Sequence, residues 1–329
     1  MPQQINSYWL ISLLVVASIA SLIIALMSGS SNLQLIEVAN NLLSQQQSTQ
    51  YLIVQLRLDR ALSAFATGGL LALAGALMQV LVRNPLADPY ILGISGGASV
   101  AALIAILIGL PLIALTTTAF VGALIAMLLV FVLSRGLNNS HWNPTRLLLT
   151  GVVLAAGWGA IISFILTFSP NSKLHSMLFW LMGDLSYSHT PEPGFIVLII
   201  ALILSLLLAR SLNVLIRGET FAQTLGVSTQ SLQWKLLLLA SLCTAAAVTQ
   251  AGSIGFIGLV VPHLIRLTGT HDHRILLPAS VLCGGSLLTL ADTVSRSLFS
   301  PVQIPVGIVT ALIGIPVFLY LLQRSEVHR

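Results

Sequence analysis

This sequence has little charge. Only 7% of its 329 residues are Asp, Glu, Lys or Arg, against about 25% in a soluble globular domain, and that excludes a water-soluble fold. Cysteine is nearly absent too. Cys243 and Cys283 both lie in apolar runs, which argues against a disulfide framework or a thiolate metal site. The two lysines, Lys173 and Lys235, follow Ser and Trp, so there is no G-x-x-x-x-G-K-[ST] phosphate loop and no nucleotide site of the chain's own. Acidic and basic residues sit at or near the ends of the apolar runs. Ion-coupled carriers keep an ionisable group at membrane depth, so the pattern argues against ion coupling, although backbone carbonyls remain able to bind sodium. Any uphill transport would then draw its energy from a separate ATPase.

What is present is apolar length. The composition is 56% hydrophobic with a mean hydropathy of +0.98, and runs of roughly 20 apolar residues recur, the length that crosses a bilayer core. The runs lack the alternation of strands, and a backbone in lipid must satisfy its own hydrogen bonds, so they are expected as helices. Clear spans are expected at 8–28, 61–82, 91–109, 112–134, 146–168, 194–210, 235–251, 275–292 and 303–323. A shorter, Gly- and Pro-interrupted tenth covers 253–269. The first run has no positive n-region and reads as a retained span.

With ten spans and an internal N-terminus, the inner side carries Arg83, Arg135, Arg146, Arg210, Arg217, Lys235, Arg266, Arg274, Arg324 and Arg329. The outer side carries Arg57, Arg60, Lys173 and Arg296. This is the positive-inside bias, and nine spans separate the charges less well. "AGALMQVLVRNP" (74–85) and "AGSIGFIGLVVP" (251–262) share an Ala-Gly and a Pro at one spacing, a match open to duplication or to chance.

The longest inner connection, 210–235, places Phe221, Ala222 and Leu225 on one helical face. Gly226 is suited to end that helix and Ser228 to cap a second short one. Such a stripe fits a groove in a partner protein, and it equally fits lipid. Arg57, Arg60 and Arg296 oppose the positive-inside rule. They suit carboxylates of a docking protein, or snorkel to headgroups. In "RNPLADPYILGISGGAS" (83–99) two prolines break a helix. The freed polar groups must then face protein or a water-filled path, and the small residues after them allow close helix packing. A gate and a tight turn both answer to that description. His271 and His273 in "THDHR" lack a further ligand nearby and read as hydrogen-bonding residues, and His263 is expected to satisfy backbone freed by Pro262. Trp180, Met182, Asp184 and Tyr187 suit an external lid or an interfacial aromatic belt.

Five stretches, "RNPLADPYILGISGGAS", "GSIGFIGLVVPHLIRLTG", "DHRILLPAS", "LADTVSR" and "IPVGIVTALIGIPVFLYLL", run in this order over most of residues 51–323. Together they resemble the permease family of ABC importers for iron–siderophores, haem and vitamin B12. The resemblance implies an all-α, ten-helix transmembrane bundle of the type II importer class, one domain over 1–329 with 210–235 as its cytoplasmic coupling loop. It also implies a homodimer, or a pair with a related permease, embedded in lipid in the inner membrane with both termini cytoplasmic. Two ABC ATPase subunits using ATP and Mg would sit inside, and a periplasmic or lipid-anchored binding protein outside. The chain itself would bind no cofactor, metal or nucleic acid. Ferric siderophore is the first expected cargo, with vitamin B12 and haem close behind; an ion-coupled secondary transporter is the competing class.

By the same resemblance, Gly218, Glu219, Phe221, Ala222, Leu225 and Gly226 belong to the ATPase contact. Arg57, Arg60 and Arg296 meet the binding protein, and Asn84, Pro85, Leu86, Pro144 and Thr145 form the cytoplasmic gate. Two departures stand out: "RLDR" puts Asp59 where the family commonly has Pro, within reach of Arg57 or Arg60, and Pro144 replaces a small hydroxyl residue.

Overall fold

The computed structural model of the chain describes residues 7–29, 34, 36–38, 49–135, 143–186, 188, 190–298 and 302–326. These form α1 (Ser7–Met27), α2 (Thr49–Leu81), a 3-10 turn (Pro89–Leu92), α3 (Ile94–Ile108), α4 (Leu112–Arg135), α5 (Pro144–Phe168) and α6 (Asn171–Met182). They continue through α7 (Glu192–Leu215), α8 (Glu219–Thr224), α9 (Thr229–Ala251), α10 (Ile257–Leu267), α11 (His273–Ser297) and α12 (Val306–Glu326). No strand occurs among the described residues. Each expected span falls on a helix. Among the described residues, seven helices are long and apolar enough to cross a membrane, namely α1, α2, α4, α5, α7, α9 and α11, while α3, α10 and the Val306–Tyr320 part of α12 are shorter apolar helices.

Two boundaries differ most from expectation, at the starts of α2 and α9, because hydropathy reports where a helix enters lipid and not where its hydrogen bonding begins. α2 starts at Thr49, 33 residues long, about 50 Å at 1.5 Å per residue against a core of about 30 Å. Arg57 and Arg60 are therefore helical. The helix expected after Ser228 is not short: α9 runs unbroken from Thr229 to Ala251. α6, which the sequence reading treated as outer connection, is a helix with Met177 and Trp180 buried.

α2 is the axis of the bundle. It is buried throughout from Leu70 to Leu81 and packs on α11, α9 and α10, while α3 pairs with α4 and α1 lies on α11. A helix apolar on all sides is one surrounded on all sides. Where apolar contact offers no gain over lipid, close approach of small residues supplies the packing. A methyl group on Gly68 would collide with the Gly284 carbonyl of α11, and one on Gly75 with the Gly258 carbonyl of α10. The outer faces remain apolar and exposed, as at Leu149, Val153 and Phe164 of α5 and Leu312 and Leu319 of α12, which fits lipid or protein neighbours.

The short internal match does not carry into the fold. Ala74 and Gly75 lie inside α2, whereas Ala251 and Gly252 end α9; Pro85 lies in a turn and Pro262 inside α10.

Candidate functional site: gate turn, coupling helix and arginine cluster

α2 ends where Arg83 takes a left-handed backbone (φ 54°), with the Asn84 amide donating back to the Gln79 carbonyl at 3.1 Å. The Asn84 side-chain oxygen then accepts the Leu86 amide at 2.9 Å, an Asx turn across Pro85. The Asp88 carboxylate accepts the Tyr90 amide at 2.7 Å and so caps the 3-10 turn. Burial pushes the Asp88 carboxyl up to about 6, opposed by that hydrogen bond. The turn is built into the bundle. Gly151 of α5 sits beneath the Ile91 carbonyl, and α5 begins at Pro144 after Asn143, whose side chain accepts the Arg146 amide at 3.1 Å. The two gate stretches named above are thus linked through α5 packing on the 3-10 turn, and Thr145 is exposed at its start.

Opposite this turn, α9 and α10 are separated by the irregular segment 252–256. Pro262 has no amide to offer the Gly258 carbonyl four residues back. The Gln79 side-chain amide takes that place, donating to the Gly258 and Leu259 carbonyls at 3.4 and 3.2 Å, while Arg266 donates to the Gln79 oxygen. The backbone freed by Pro262 is therefore satisfied by Gln79, not by His263, whose Nδ1 has no partner among the described residues. His273 does act as a hydrogen-bonding residue, its Nδ1 2.6 Å from the Asn213 side-chain oxygen.

The stretch expected to meet the ATPase forms α8, entered through Gly218 at φ 128° and left through Gly226 at φ 77°, conformations that glycine adopts freely. The expected stripe divides: Phe221 and Leu225 are exposed, and Ala222 is buried. Ser228 stands at the N-cap of α9 without a side-chain capping bond. Glu219 accepts from the Thr229 hydroxyl at 3.3 Å and pairs with Arg83 at 3.6 Å, so α8 touches the residue that opens the turn after α2.

Arg57, Arg60 and Arg296, the three arginines expected outside, are brought into one cluster, each engaged by this chain. Arg60 grips Asp292 of α11 with Nε and Nη2 at 2.8–3.1 Å and reaches Ser186 and Gln303 with Nη1. Arg296 lies 3.7 Å from the same carboxylate, which is 2% exposed. Arg57, 7% exposed, donates to the Leu26 and Met27 carbonyls, and Arg296 donates to that of Ala25. Between them they cap the C-terminus of α1, which has no basic residue in its last turn. The carboxylate held by Arg60 is Asp292, 232 residues away in sequence; the sequence reading considered Asp59 alone and missed it. Of the residues expected to form an external lid or an interfacial belt, Trp180 is buried and Met182 exposed. The Asp184 amide donates to the Ala251 carbonyl at 2.9 Å, and Tyr187 lies outside the described residues.

The model of the FecCD transport family matches residues 14–324. The chain belongs to the FecCD transport family. It is similar to the cobalamin import system permease protein BtuC of Halobacterium salinarum, 43% identical over 86% of this chain and 76% of that protein. It is also 39% identical to the hemin transport system permease protein HmuU of Yersinia pestis, over 94% of this chain and 95% of that one. A solved chain from a metal-chelate type ABC transporter in an inward-facing conformation superposes with a TM-score of 0.83 at 32% identity, covering 97% of this chain and 99% of the other. PsaBC from Streptococcus pneumoniae, with a TM-score of 0.54 at 17% identity, shares the fold alone. The FecCD match spans the 83–88 turn, α8 and the arginine cluster together.

Proposed function

We propose that this chain is the membrane permease of an ATP-driven importer that moves a metal chelate inward across the cytoplasmic membrane. It crosses ten times, with both termini and α8 inside. Two ABC ATPase subunits bind at α8, a second permease copy completes the path, and a periplasmic or lipid-anchored binding protein delivers cargo at the arginine cluster. The observation that carries this reading is α8 itself: a short helix bounded by two glycines, with Phe221 and Leu225 presented outward and Glu219 joined to the gate turn. An exposed apolar pair on a helix suits a groove in a partner, and the Arg83 contact gives movement there a route to the gate.

Docking at the outer end falls chiefly to Arg60, whose side chain is 15% exposed; Arg57 and Arg296 support it from behind by holding α1. A docking carboxylate would share Arg60 with Asp292. ATP and Mg belong to the ATPase, and the cargo arrives already chelated, so the path needs no metal ligand of its own. Ferric siderophore is the first cargo to try. Cobalamin and hemin are tried beside it, a choice supported by the relatives named for those two cargoes.

The test is uptake into proteoliposomes containing the permease, its ATPase and its binding protein, with labelled ferric siderophore, cobalamin and hemin supplied in turn. ATP-dependent accumulation of one chelate is expected. Uptake by the permease alone, driven by a sodium or proton gradient and abolished by an ionophore, would establish the secondary-transporter reading instead.

A further inference from the structure

Among the described residues, the non-glycine positions with left-handed backbone are Arg83 and Phe256, at φ 54° and 71°. Strain of this kind persists where the surroundings impose it, and it gathers at switch regions. Each of the two marks a break in the helical framework: Arg83 opens the gate turn after α2, and Phe256 closes the 252–256 segment before α10. The two breaks are far apart in sequence and meet in the fold. The Ile254 amide donates to the Tyr90 hydroxyl at 3.1 Å, and a methyl group on Gly258 would lie 2.9 Å from the Pro89 ring.

Ile254 is 1% exposed and lies between α9 and α10, outside any helical hydrogen-bond ladder. An unpaired amide at that depth is costly, and a side chain from the other break supplies its acceptor. The connection extends both ways. Arg83 pairs with Glu219 of α8 at one end. At the other, Ala251 accepts the Asp184 amide and Gly252 lies against the Trp180 carbonyl of α6.

We propose that Tyr90 is a positioning residue of the transport cycle. Its hydroxyl fastens the gate turn to the 252–256 segment, so that displacement of α8, delivered through Arg83, reaches the segment beneath α6. The inference rests on the permease reading above, because it takes α8 as the ATPase contact.

Tyr90→Phe removes the hydroxyl and leaves the ring. In the purified permease alone, the Ile254 amide is expected to exchange with deuterium at least tenfold faster in Y90F; an unchanged rate overturns the proposal. In the reconstituted importer, Y90F is expected to lower chelate uptake per ATP hydrolysed at least fivefold in equal amounts of assembled complex. A merely structural role would reduce the amount of complex and leave that ratio unmoved, which also overturns the proposal. A thiol introduced by Ser253→Cys, in a chain with Cys243 and Cys283 replaced, is expected to change its labelling rate when vanadate traps the ATPase. In the Y90F background that response is expected to vanish, and a response of equal size in both backgrounds refutes the link. Absence of ATP-driven uptake in the unsubstituted importer would refute the permease reading, and this proposal with it, even with Ile254 exchange accelerated; a defect confined to Y90F separates the two.

Discussion

Asp292 holds two guanidinium groups in a setting almost closed to water. Removing one side of a buried ion pair is more damaging than never having had it, because the remaining charge keeps its desolvation cost. Asp292→Ala strands Arg60 and Arg296 together and is expected to cost about 3 kcal/mol, read as a lowered melting temperature in detergent. Arg60→Ala, which leaves Asp292 with Arg296, is expected to cost less; an equal or larger loss would mean that Arg296 does not share the carboxylate.

Asp88 is a second residue with a testable charge. Its folded carboxyl retains a proton up to about 6, above the unfolded value of about 3.9. Between those values the unfolded chain has released a proton that the folded chain still binds. Its contribution to stability is therefore fullest below about pH 4 and declines as pH rises to about 6. Asp88→Asn keeps an oxygen for the Tyr90 amide and removes the titration. The melting temperature of the parent chain, measured relative to D88N, is expected to fall from pH 4 to pH 6 and to run parallel above that. A difference that is flat throughout would show Asp88 to be ionised at an ordinary value.

At the scale of elements, the proposed function rests most heavily on α8, a helix of six residues. Phe221→Asp with Leu225→Asp leaves the buried Ala222 and both glycines in place, so insertion in the membrane is expected to survive. Co-purification of the ATPase and ATP-driven uptake are both expected to fall at least tenfold. Normal ATPase binding in the double variant would place the contact elsewhere and return α8 to the role of an interfacial helix.

How legible these elements were follows from what each depends on. The apolar runs of α1, α2, α4, α5, α7, α9 and α11 could be read directly, because lipid demands about 20 apolar residues wherever a helix crosses, and Gly226 announced the end of α8 through its own backbone freedom. The start of α2 at Thr49 was hidden, since its first turns lie beyond the apolar run. Contacts between distant segments were hidden for a different reason. Nothing local to Asp292 names Arg60, nothing near Pro262 names Gln79, and Tyr90 gives no sign of Ile254. Each of these polar groups is satisfied by a segment that only the folded bundle brings near. The division of the α8 stripe, with Ala222 inward and Phe221 and Leu225 outward, likewise depends on where α7 and α9 lie.

For the whole molecule, the proposed function requires a fixed sidedness: the gate turn and α8 face the cytoplasm, and α6 and the arginine cluster face out. The positive-inside distribution argues for this, and the ion pair between Arg83 and Glu219 requires the gate turn and α8 to share a side. The direct measurement is thiol labelling in a chain whose Cys243 and Cys283 have been replaced, with a single cysteine introduced by Thr224→Cys in α8 or Ser172→Cys in α6. Both positions are exposed. With a membrane-impermeant maleimide on intact cells or spheroplasts, S172C is expected to be labelled and T224C protected, and inverted vesicles are expected to reverse the pattern. Labelling of T224C from outside would put the coupling helix beyond reach of any cytoplasmic ATPase and contradict the account.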